Sequence, residues 1–363
     1  MLTLQDFSYT LPPELIAQKP LVKRDQSRLL VFSRANSRWR HQHFHQLPQI
    51  LQDTREKYLI VRNNSQVIPA RLTGNKVTGG KVEVFLVHQR QSTAAKQVWE
   101  CLTKPGLKPD QTVIFAEQNI TAVCRKIVDD YTRLIEFQTD PTSFQHFLRQ
   151  NGQTPIPPYI KSSLPEKKLR QVYQTVYAQK PGSVAAPTAG LHFTKELEQE
   201  LLAHGHQFAD VTLHVSLGTF LGVKCDNIQD HQMHAESFEV NQESLNSIRS
   251  AVKMRRKILA VGTTATRVLE SIAPTLATNS KTITGETSIF IHPPQKFQLV
   301  DALITNFHLP QSTLLMLIAA FTSQPNGSET FQTWTKSPIG QAYQEAIAQK
   351  YRFFSFGDAM LII

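Results

Sequence analysis

The sequence predicts an α/β protein in which strands joined by helices form one part and a compact β-rich segment forms another. From about residue 183 onward, short apolar runs alternate with amphipathic stretches, which is the pattern of parallel strands with helical crossovers. Between residues 66 and 138, strand-like runs follow one another with few helical periods. At 363 residues, 40% of them hydrophobic, the chain is long enough for two domains.

In the first 65 residues, two strand-like runs at 29–32 and 59–61 are expected to join the later α/β part. The β-rich segment is divided by turn pairs such as Gly79-Gly80 and Pro105-Gly106, which predicts an antiparallel sheet or small barrel. Its predicted strands are 81–88, 97–102, 111–116, 120–128 and 131–138. A helix at 142–150 and a proline-dense connector at 154–159 follow.

The remaining chain alternates between strands and helices and ends in an apolar run. Predicted strands are 183–186, 211–215, 258–261 and 302–305, and predicted helices are 195–203, 243–254, 265–272, 313–321 and 339–349. The β-rich segment is therefore best explained as an insertion. We expect residues 1–65 and 154–363 to form the main α/β domain around an inserted β domain at 66–153.

Charge and cysteine content restrict the partners and the compartment. The chain has 39 Lys and Arg residues and 29 Asp and Glu residues, which gives a formal charge of +10. The surface should therefore attract polyanions such as RNA. The three cysteines, Cys101, Cys124 and Cys225, are widely spaced, which argues against a disulfide framework or a cysteine-only zinc site. No leader-like or membrane-spanning run is evident, so a cytoplasmic protein without membrane contact is expected.

Polar residues follow four predicted strands, where α/β sheets place reactive groups. His192 follows the first strand and His214 ends the second; Gly262-Thr263-Thr264 and Asn306-Phe307-His308 follow the third and fourth. Core packing gives no reason to put polar groups repeatedly at the same end of a sheet. The convergence of these loops predicts an enzyme, although any one histidine alone would more commonly be structural.

The Gly262-Thr263-Thr264 segment opens a predicted helix. Its small residues allow a ligand to approach free backbone N–H groups, so the turn is a candidate site for a carboxylate or phosphate. An ordinary helix cap by Thr263 or Thr264 is the alternative. Arg267, one turn further on, is a candidate to pair with the same anion.

The run His231-Gln232-Met233-His234-Ala235-Glu236 combines two histidines with a carboxylate. With His214 these residues could ligate zinc, which would suit a metal-dependent hydrolase. The spacing is not that of a tight catalytic motif such as H-E-x-x-H. General acid–base catalysis is the other interpretation.

Several long blocks resemble one enzyme family. The blocks are residues 63–72, 173–178, 182–194, 305–317 and 351–362. In this order they resemble the S-adenosylmethionine:tRNA ribosyltransferase-isomerases of the queuosine pathway, whose members carry a comparable H-x-M-H-x-E run. The chain departs from the family at Asn64, Ser65 and Gln66, where an acidic residue, Thr and Arg are usual, and at Ser216 and Pro294, where Gly is usual.

The resemblance implies an α/β barrel-like main domain with a smaller inserted β domain, and a reaction that needs no metal. The ribosyl part of S-adenosylmethionine would be transferred to a 7-aminomethyl-7-deazaguanine base at the wobble position of tRNA. Adenine and methionine would leave, and epoxyqueuosine-tRNA would form. The alternatives are the hydrolase and a non-catalytic RNA-binding protein.

Site residues are assigned on the same resemblance. The acid–base candidates are His192, His214, His234 and Glu236. The substrate-binding candidates are Arg71, Thr188, Phe193, Thr263, Thr264, Arg267, Asn306, His308 and Asp358. Phe193, Phe220 and Phe307 are candidates to face the sulfonium cation.

Basic residues cluster at 19–40, 161–170 and 253–257. A charge run is commonly a solvated surface, but three runs in a basic chain favour a phosphate-binding surface. We assign RNA binding to Lys253, Arg255, Arg256 and Lys257. The partners expected are tRNA and S-adenosylmethionine, and the protein is expected to be a monomer.

Overall fold

A computed structural model describes residues 2–115, 120–216, 222–223, 225–278 and 280–363. Its strands are β1 Arg28–Ser33, β2 Arg38–His43, β3 Tyr58–Asn63, β4 Ser65–Val67, β5 Arg71–Lys76, β6 Lys81–Ser92, β7 Gln97–Lys104, β8 Thr112–Phe115, β9 Ile120–Ile127, β10 Thr132–Phe137, β11 Lys180–Ser183, β12 Gln207–Leu213, β13 Glu236–Val240, β14 Lys257–Val261, β15 Ile283–Thr287, β16 Ala302–Asn306 and β17 Ala359–Ile362. Its α-helices are α1 Leu47–Asp53, α2 Pro141–Asn151, α3 Glu166–Val172, α4 Lys195–Ala203, α5 Gln242–Lys253, α6 Gly262–Ile272, α7 Thr313–Thr322 and α8 Pro338–Ala348.

A mixed nine-stranded sheet forms the larger part, in the order β15-β13-β12-β3-β14-β16-β17-β1-β2. Its centre is parallel: β12 pairs with β3, β3 with β14 and β14 with β16. The apolar carboxyl-terminal run forms β17, which lies antiparallel to β16 and parallel to β1. The first strands of the chain therefore rejoin the last, as the sequence predicts.

The β-rich segment closes into a six-stranded antiparallel barrel, in the order β10-β7-β6-β5-β8-β9. Phe144 and Phe147 of α2 pack into the same apolar cluster. The predicted barrel is confirmed, but its first strand, β5, was missed because Gly74-Asn75 has the composition of a turn. Glycine is required there, because a Cβ on Gly74 would lie 2.6 Å from Cγ1 of Val113.

Most predicted helices agree with the structure within one to three residues at each end. Helix α4 has the predicted bounds, because the Thr194 hydroxyl caps it by accepting from the Leu197 N–H at 3.2 Å. Two strand predictions were displaced. Residues 184–186 are buried but irregular, since β11 ends at Ser183, whose hydroxyl donates to the Ala185 carbonyl. β12 begins four residues before the predicted start, because its polar amino-terminal half pairs with β3.

Two strands that no apolar run signalled, β13 and β15, extend the sheet beyond β12. Alternate residues of β13 are buried, so this strand is amphipathic. Among the residues described, no helix is long and apolar enough to cross a membrane.

Candidate functional site

A cleft lies where the loops after β11, β12, β14 and β16 meet. We call it the strand-end cleft. The structure thus brings together the four loops that the sequence singled out. The residues lining it are Tyr159, Ala185, Ala186, Pro187, Thr188, Ala189, Val215, Gly262, Thr263, Thr264, Thr305, Asn306, His308, Leu314, Phe354 and Ser355.

The amino-terminal turn of α6 forms one wall of this cleft. Gly262 has φ 87°, a conformation that glycine adopts without steric cost. The suggested cap by Thr263 or Thr264 was wrong: the N-cap position is Val261, and no side chain that the structure describes caps the helix. The Thr264 hydroxyl is buried and has no hydrogen-bond partner among the described residues. An uncapped helix start beside an unsatisfied hydroxyl is suited to bind an anion.

A chain of hydrogen bonds leads away from the cleft through Asn306. The Thr188 hydroxyl donates to Oδ1 of Asn306 at 2.8 Å, and Nδ2 of Asn306 lies 3.3 Å from Nε2 of His192. Nδ1 of His192 lies 2.7 Å from the Ser27 hydroxyl. Because the Asn306 amide donates, Nε2 of His192 must accept and its Nδ1 must carry the proton.

His192 is therefore buried one layer behind the cleft rather than presented to it. Burial is the main cause that lowers the pKa of His192 to about 4, so the imidazole is neutral near pH 7. Its ring also stacks on Phe44, with centroids 5.0 Å apart. The arrangement fits a residue that orients the Asn306 amide.

His308 lines the strand-end cleft directly. Its Nε2 lies 2.9 Å from the Thr305 hydroxyl, and burial lowers its pKa to about 3. A neutral imidazole in this position can donate or accept a hydrogen bond from a ligand.

A second cleft lies between the barrel and the main sheet, and we call it the barrel cleft. Its lining includes His88, Ser216, His231 and His234, of which His234 is exposed. Val215 lines the strand-end cleft and its neighbour Ser216 lines the barrel cleft, so the loop after β12 contributes a residue to each cleft.

His214 lies beside the backbone of β11. A Cβ on Gly182 would lie 2.8 Å from its Cε1, so only glycine permits the imidazole to lie so close. Burial and the proximity of His88 lower the pKa of His214. Its Nδ1 is buried and has no hydrogen-bond partner among the residues described.

Glu236 and Arg267 form a buried ion pair, with side chains 2% and 4% exposed. Glu236 also accepts from the Ser216 backbone N–H at 2.9 Å, and Arg267 donates to the Thr287 carbonyl at 3.3 Å. The ion pair thus links Ser216 to Thr287 of β15. Neither carboxylate nor guanidinium lines the strand-end cleft.

Within the described ranges, no group of three or more His, Cys, Asp or Glu side chains is arranged to hold a metal ion. His231 and His234 line the barrel cleft, whereas Glu236 is paired with Arg267. The zinc set proposed from their spacing is therefore not assembled among these side chains.

Four other predicted residues lie away from the strand-end cleft. Phe193 and Phe307 are fully buried among other aromatic rings, so they are packing residues. Asp358 is buried and accepts from the backbone N–H groups of residues 28 and 352. Arg71 pairs with Glu83 on the barrel at 2.9 Å. Phe220 lies outside the described residues.

The basic cluster assigned to RNA lies at the start of β14, whereas the strand-end cleft lies beyond the end of that strand. Lys257 pairs with Asp301 at 3.0 Å, and Arg256 donates to the Gly205 carbonyl at 3.2 Å. This placement favours the solvated-surface alternative for the cluster.

Three cleft residues, Tyr159, Phe354 and Ser355, were not predicted as site residues. The Tyr159 hydroxyl lies 2.6 Å from the Ser355 hydroxyl. The Tyr159 ring packs edge to face on the Phe354 ring, with centroids 4.1 Å apart. The signal available was the aromatic content of the connector and of the 351–362 block. Periodicity could not show that these two distant segments share one cleft wall.

Comparison with known proteins agrees with the resemblance over nearly the whole chain. A family model described as "Queuosine biosynthesis protein" matches residues 4–362. The S-adenosylmethionine:tRNA ribosyltransferase-isomerases of Thermotoga maritima and Natranaerobius thermophilus are 44% identical over 361 residues and 46% identical over 364, covering 99% of each chain. A crystal structure of the S-adenosylmethionine tRNA ribosyltransferase from Thermotoga maritima aligns with a TM-score of 0.53 and 35% identity, covering 99% of this chain and 100% of the other.

Proposed function

This chain belongs to the family of queuosine biosynthesis proteins, and we propose that it transfers and isomerises the ribosyl group of S-adenosylmethionine onto 7-aminomethyl-7-deazaguanine at the tRNA wobble position. Adenine and methionine leave, and the product is epoxyqueuosine-tRNA. The hydrolase and the non-catalytic RNA-binding alternatives receive no support from the relatives. S-adenosylmethionine is a co-substrate of this transferase, and we propose that the enzyme acts as a cytoplasmic monomer without a metal.

The observation that carries the proposal is the uncapped start of α6 in a cleft built from four strand ends. There the Thr264 hydroxyl has no hydrogen-bond partner in the part of the chain that the structure describes. The methionine carboxylate of S-adenosylmethionine satisfies the first-turn N–H groups and the Thr264 hydroxyl. Binding of the carboxylate there leaves the ribose and adenine to lie toward the Asn306 side of the cleft.

Thr188 acts as a hydrogen-bond acceptor on the Asn306 side of the cleft. Its hydroxyl proton is donated to Asn306, so only its lone pairs are available to a ligand. It accepts from a ribose hydroxyl or from the adenine amino group. His308 supplies a further hydrogen bond from the same wall.

Proton transfer must be handled by a group that the substrate can reach. Of the four acid–base candidates, His192 is buried behind Asn306, His214 is partly buried beside Gly182, and Glu236 is paired with Arg267. His234 is exposed in the barrel cleft, and the loop after β12 contributes to both this cleft and the strand-end cleft. We therefore assign proton acceptance from the attacking amine to His234, and positioning roles to the other three.

The proposed reaction predicts adenine and methionine release that depends on modified tRNA. The protein is incubated with S-adenosylmethionine and tRNA carrying 7-aminomethyl-7-deazaguanine, and nucleosides and small products are analysed by mass spectrometry. Epoxyqueuosine, adenine and methionine should form in equal amounts, while tRNA carrying guanine at the wobble position should yield none. S-adenosylhomocysteine together with a methylated base would identify a methyltransferase and refute the proposal.

A further inference from the structure

Three segments meet at the rim of the strand-end cleft. The Gln18 side chain donates to the Tyr159 carbonyl at 3.1 Å and accepts from the Lys161 N–H at 2.8 Å. The Ala17 N–H donates to the Phe353 carbonyl at 3.1 Å, and the Arg352 guanidinium donates to the Lys19 carbonyl. These bonds join parts of two basic runs to an aromatic wall of the cleft.

The rim carries unpaired positive charge. Lys19, Lys23 and Lys161 are exposed, and none of these ammonium groups is paired with a carboxylate in the described part of the chain. The loop of residues 18–24 contains no acidic residue. We define the basic rim as Tyr159, Phe354, Lys19 and Lys161, together with Lys23, which follows Lys19 in the same loop.

Phe354 has an unusual backbone conformation. Its φ is 73°, a region that bulky residues seldom occupy and that costs on the order of 1–3 kcal/mol. The turn is held by hydrogen bonds from the Phe354 N–H to the Phe307 carbonyl at 3.0 Å and from the Gly357 N–H to the Phe354 carbonyl at 2.9 Å. The partly exposed ring lines the cleft against Tyr159. Strain of this kind is typical of residues that contact a ligand.

We propose that the basic rim is the docking surface for the anticodon loop of tRNA, with the three lysines contacting phosphates and Phe354 stacking on an unpaired base. Phosphates provide most of the affinity of a single-stranded RNA, and an aromatic ring gives a sequence-tolerant stacking platform for its bases. The inference rests on the proposed function, because that function requires the wobble base to enter a cleft that also holds S-adenosylmethionine. It moves RNA binding from residues 253–257 to the opposite end of β14.

The test measures binding of a fluorescent, unmodified anticodon stem-loop RNA at several salt concentrations. The variant Lys19→Gln/Lys23→Gln/Lys161→Gln should reduce the log–log salt slope by about 2, since each phosphate contact contributes roughly 0.7 to 0.9. The matched control, Lys253→Gln/Arg255→Gln/Lys257→Gln, removes the same charge and should keep the wild-type slope. Equal losses in both variants, or none in the first, would overturn the proposal.

Phe354→Gly tests the stacking separately. Glycine adopts the positive φ without strain, so the melting temperature should stay at the wild-type value. RNA affinity should fall about 5- to 150-fold, because the stacking contact is lost. Phe354→Tyr should restore affinity, and wild-type affinity in Phe354→Gly would overturn the stacking role. Turnover with modified tRNA is measured in the same variants. RNA binding at the rim without any ribosyl transfer would refute the proposed function but would still support RNA docking at the basic rim.

Discussion

Glu236→Gln is expected to destabilise the folded protein by about 3–5 kcal/mol, because it leaves the Arg267 guanidinium charged and buried without its carboxylate. The substitution also weakens the bond that holds the Ser216 N–H. The free energy of unfolding, measured by urea titration at pH 7, gives the effect directly. If Glu236 were the general base instead, the variant would lose turnover and keep wild-type stability.

The chain offers a matched control on the same strand. Glu239 of β13 faces Lys180 at 3.8 Å, with both side chains about half exposed. Glu239→Gln should therefore change the free energy of unfolding by less than about 1 kcal/mol. The double variant Glu236→Leu/Arg267→Met should lose much less stability than the sum of its single variants, because no unpaired charge remains. Additive losses would show that the two side chains are not coupled.

The second large effect is expected at Asn306. Asn306→Leu leaves the Thr188 hydroxyl and Nε2 of His192 without partners and alters the polarity of the cleft wall. We expect kcat/KM for S-adenosylmethionine to fall by about 100-fold or more, since a displacement of about 1 Å at a reacting centre can cost that much. This kcat/KM is measured from steady-state adenine release at saturating tRNA and varied S-adenosylmethionine concentration.

A conservative series separates positioning from proton transfer. Asn306→Asp keeps the acceptor for Thr188 but cannot donate to His192, so its kcat/KM should lie between wild type and Asn306→Leu. His192→Gln keeps a neutral hydrogen-bonding group and should retain most turnover, whereas His192→Ala should raise KM for S-adenosylmethionine and lower the melting temperature. A kcat that falls 1,000-fold or more in His192→Gln, at unchanged stability, would contradict a positioning role and restore proton transfer to His192.

The sequence predicted what depends on local pattern. Amphipathic periodicity predicted α4 and α5, and the division of the β-rich segment predicted five of the six barrel strands. The position of polar residues after strands predicted that four loops meet. The domain division at residues 65 and 153 stays a prediction, although the six barrel strands all lie between residues 71 and 137.

What the sequence could not predict depends on long-range pairing and on side-chain direction. The loop that presents Thr188 to the cleft turns His192 inward, and no periodicity distinguishes these orientations. Glu236 belongs to a histidine-rich run that suggests catalysis, yet Arg267, 31 residues later, pairs with its carboxylate. Phe354 and Tyr159 are almost 200 residues apart and pack together where residues 17 and 18 bond to both segments.

The central claim is that S-adenosylmethionine binds in the strand-end cleft with its carboxylate at the start of α6. A crystal structure of the protein with S-adenosylhomocysteine, which shares the amino-acid and adenosine groups but cannot react, tests it most directly. The account predicts the carboxylate within hydrogen-bond distance of the Thr264 hydroxyl and the first-turn N–H groups, with the ribose or adenine beside Thr188. Ligand density in the barrel cleft, with the α6 turn free, would contradict it.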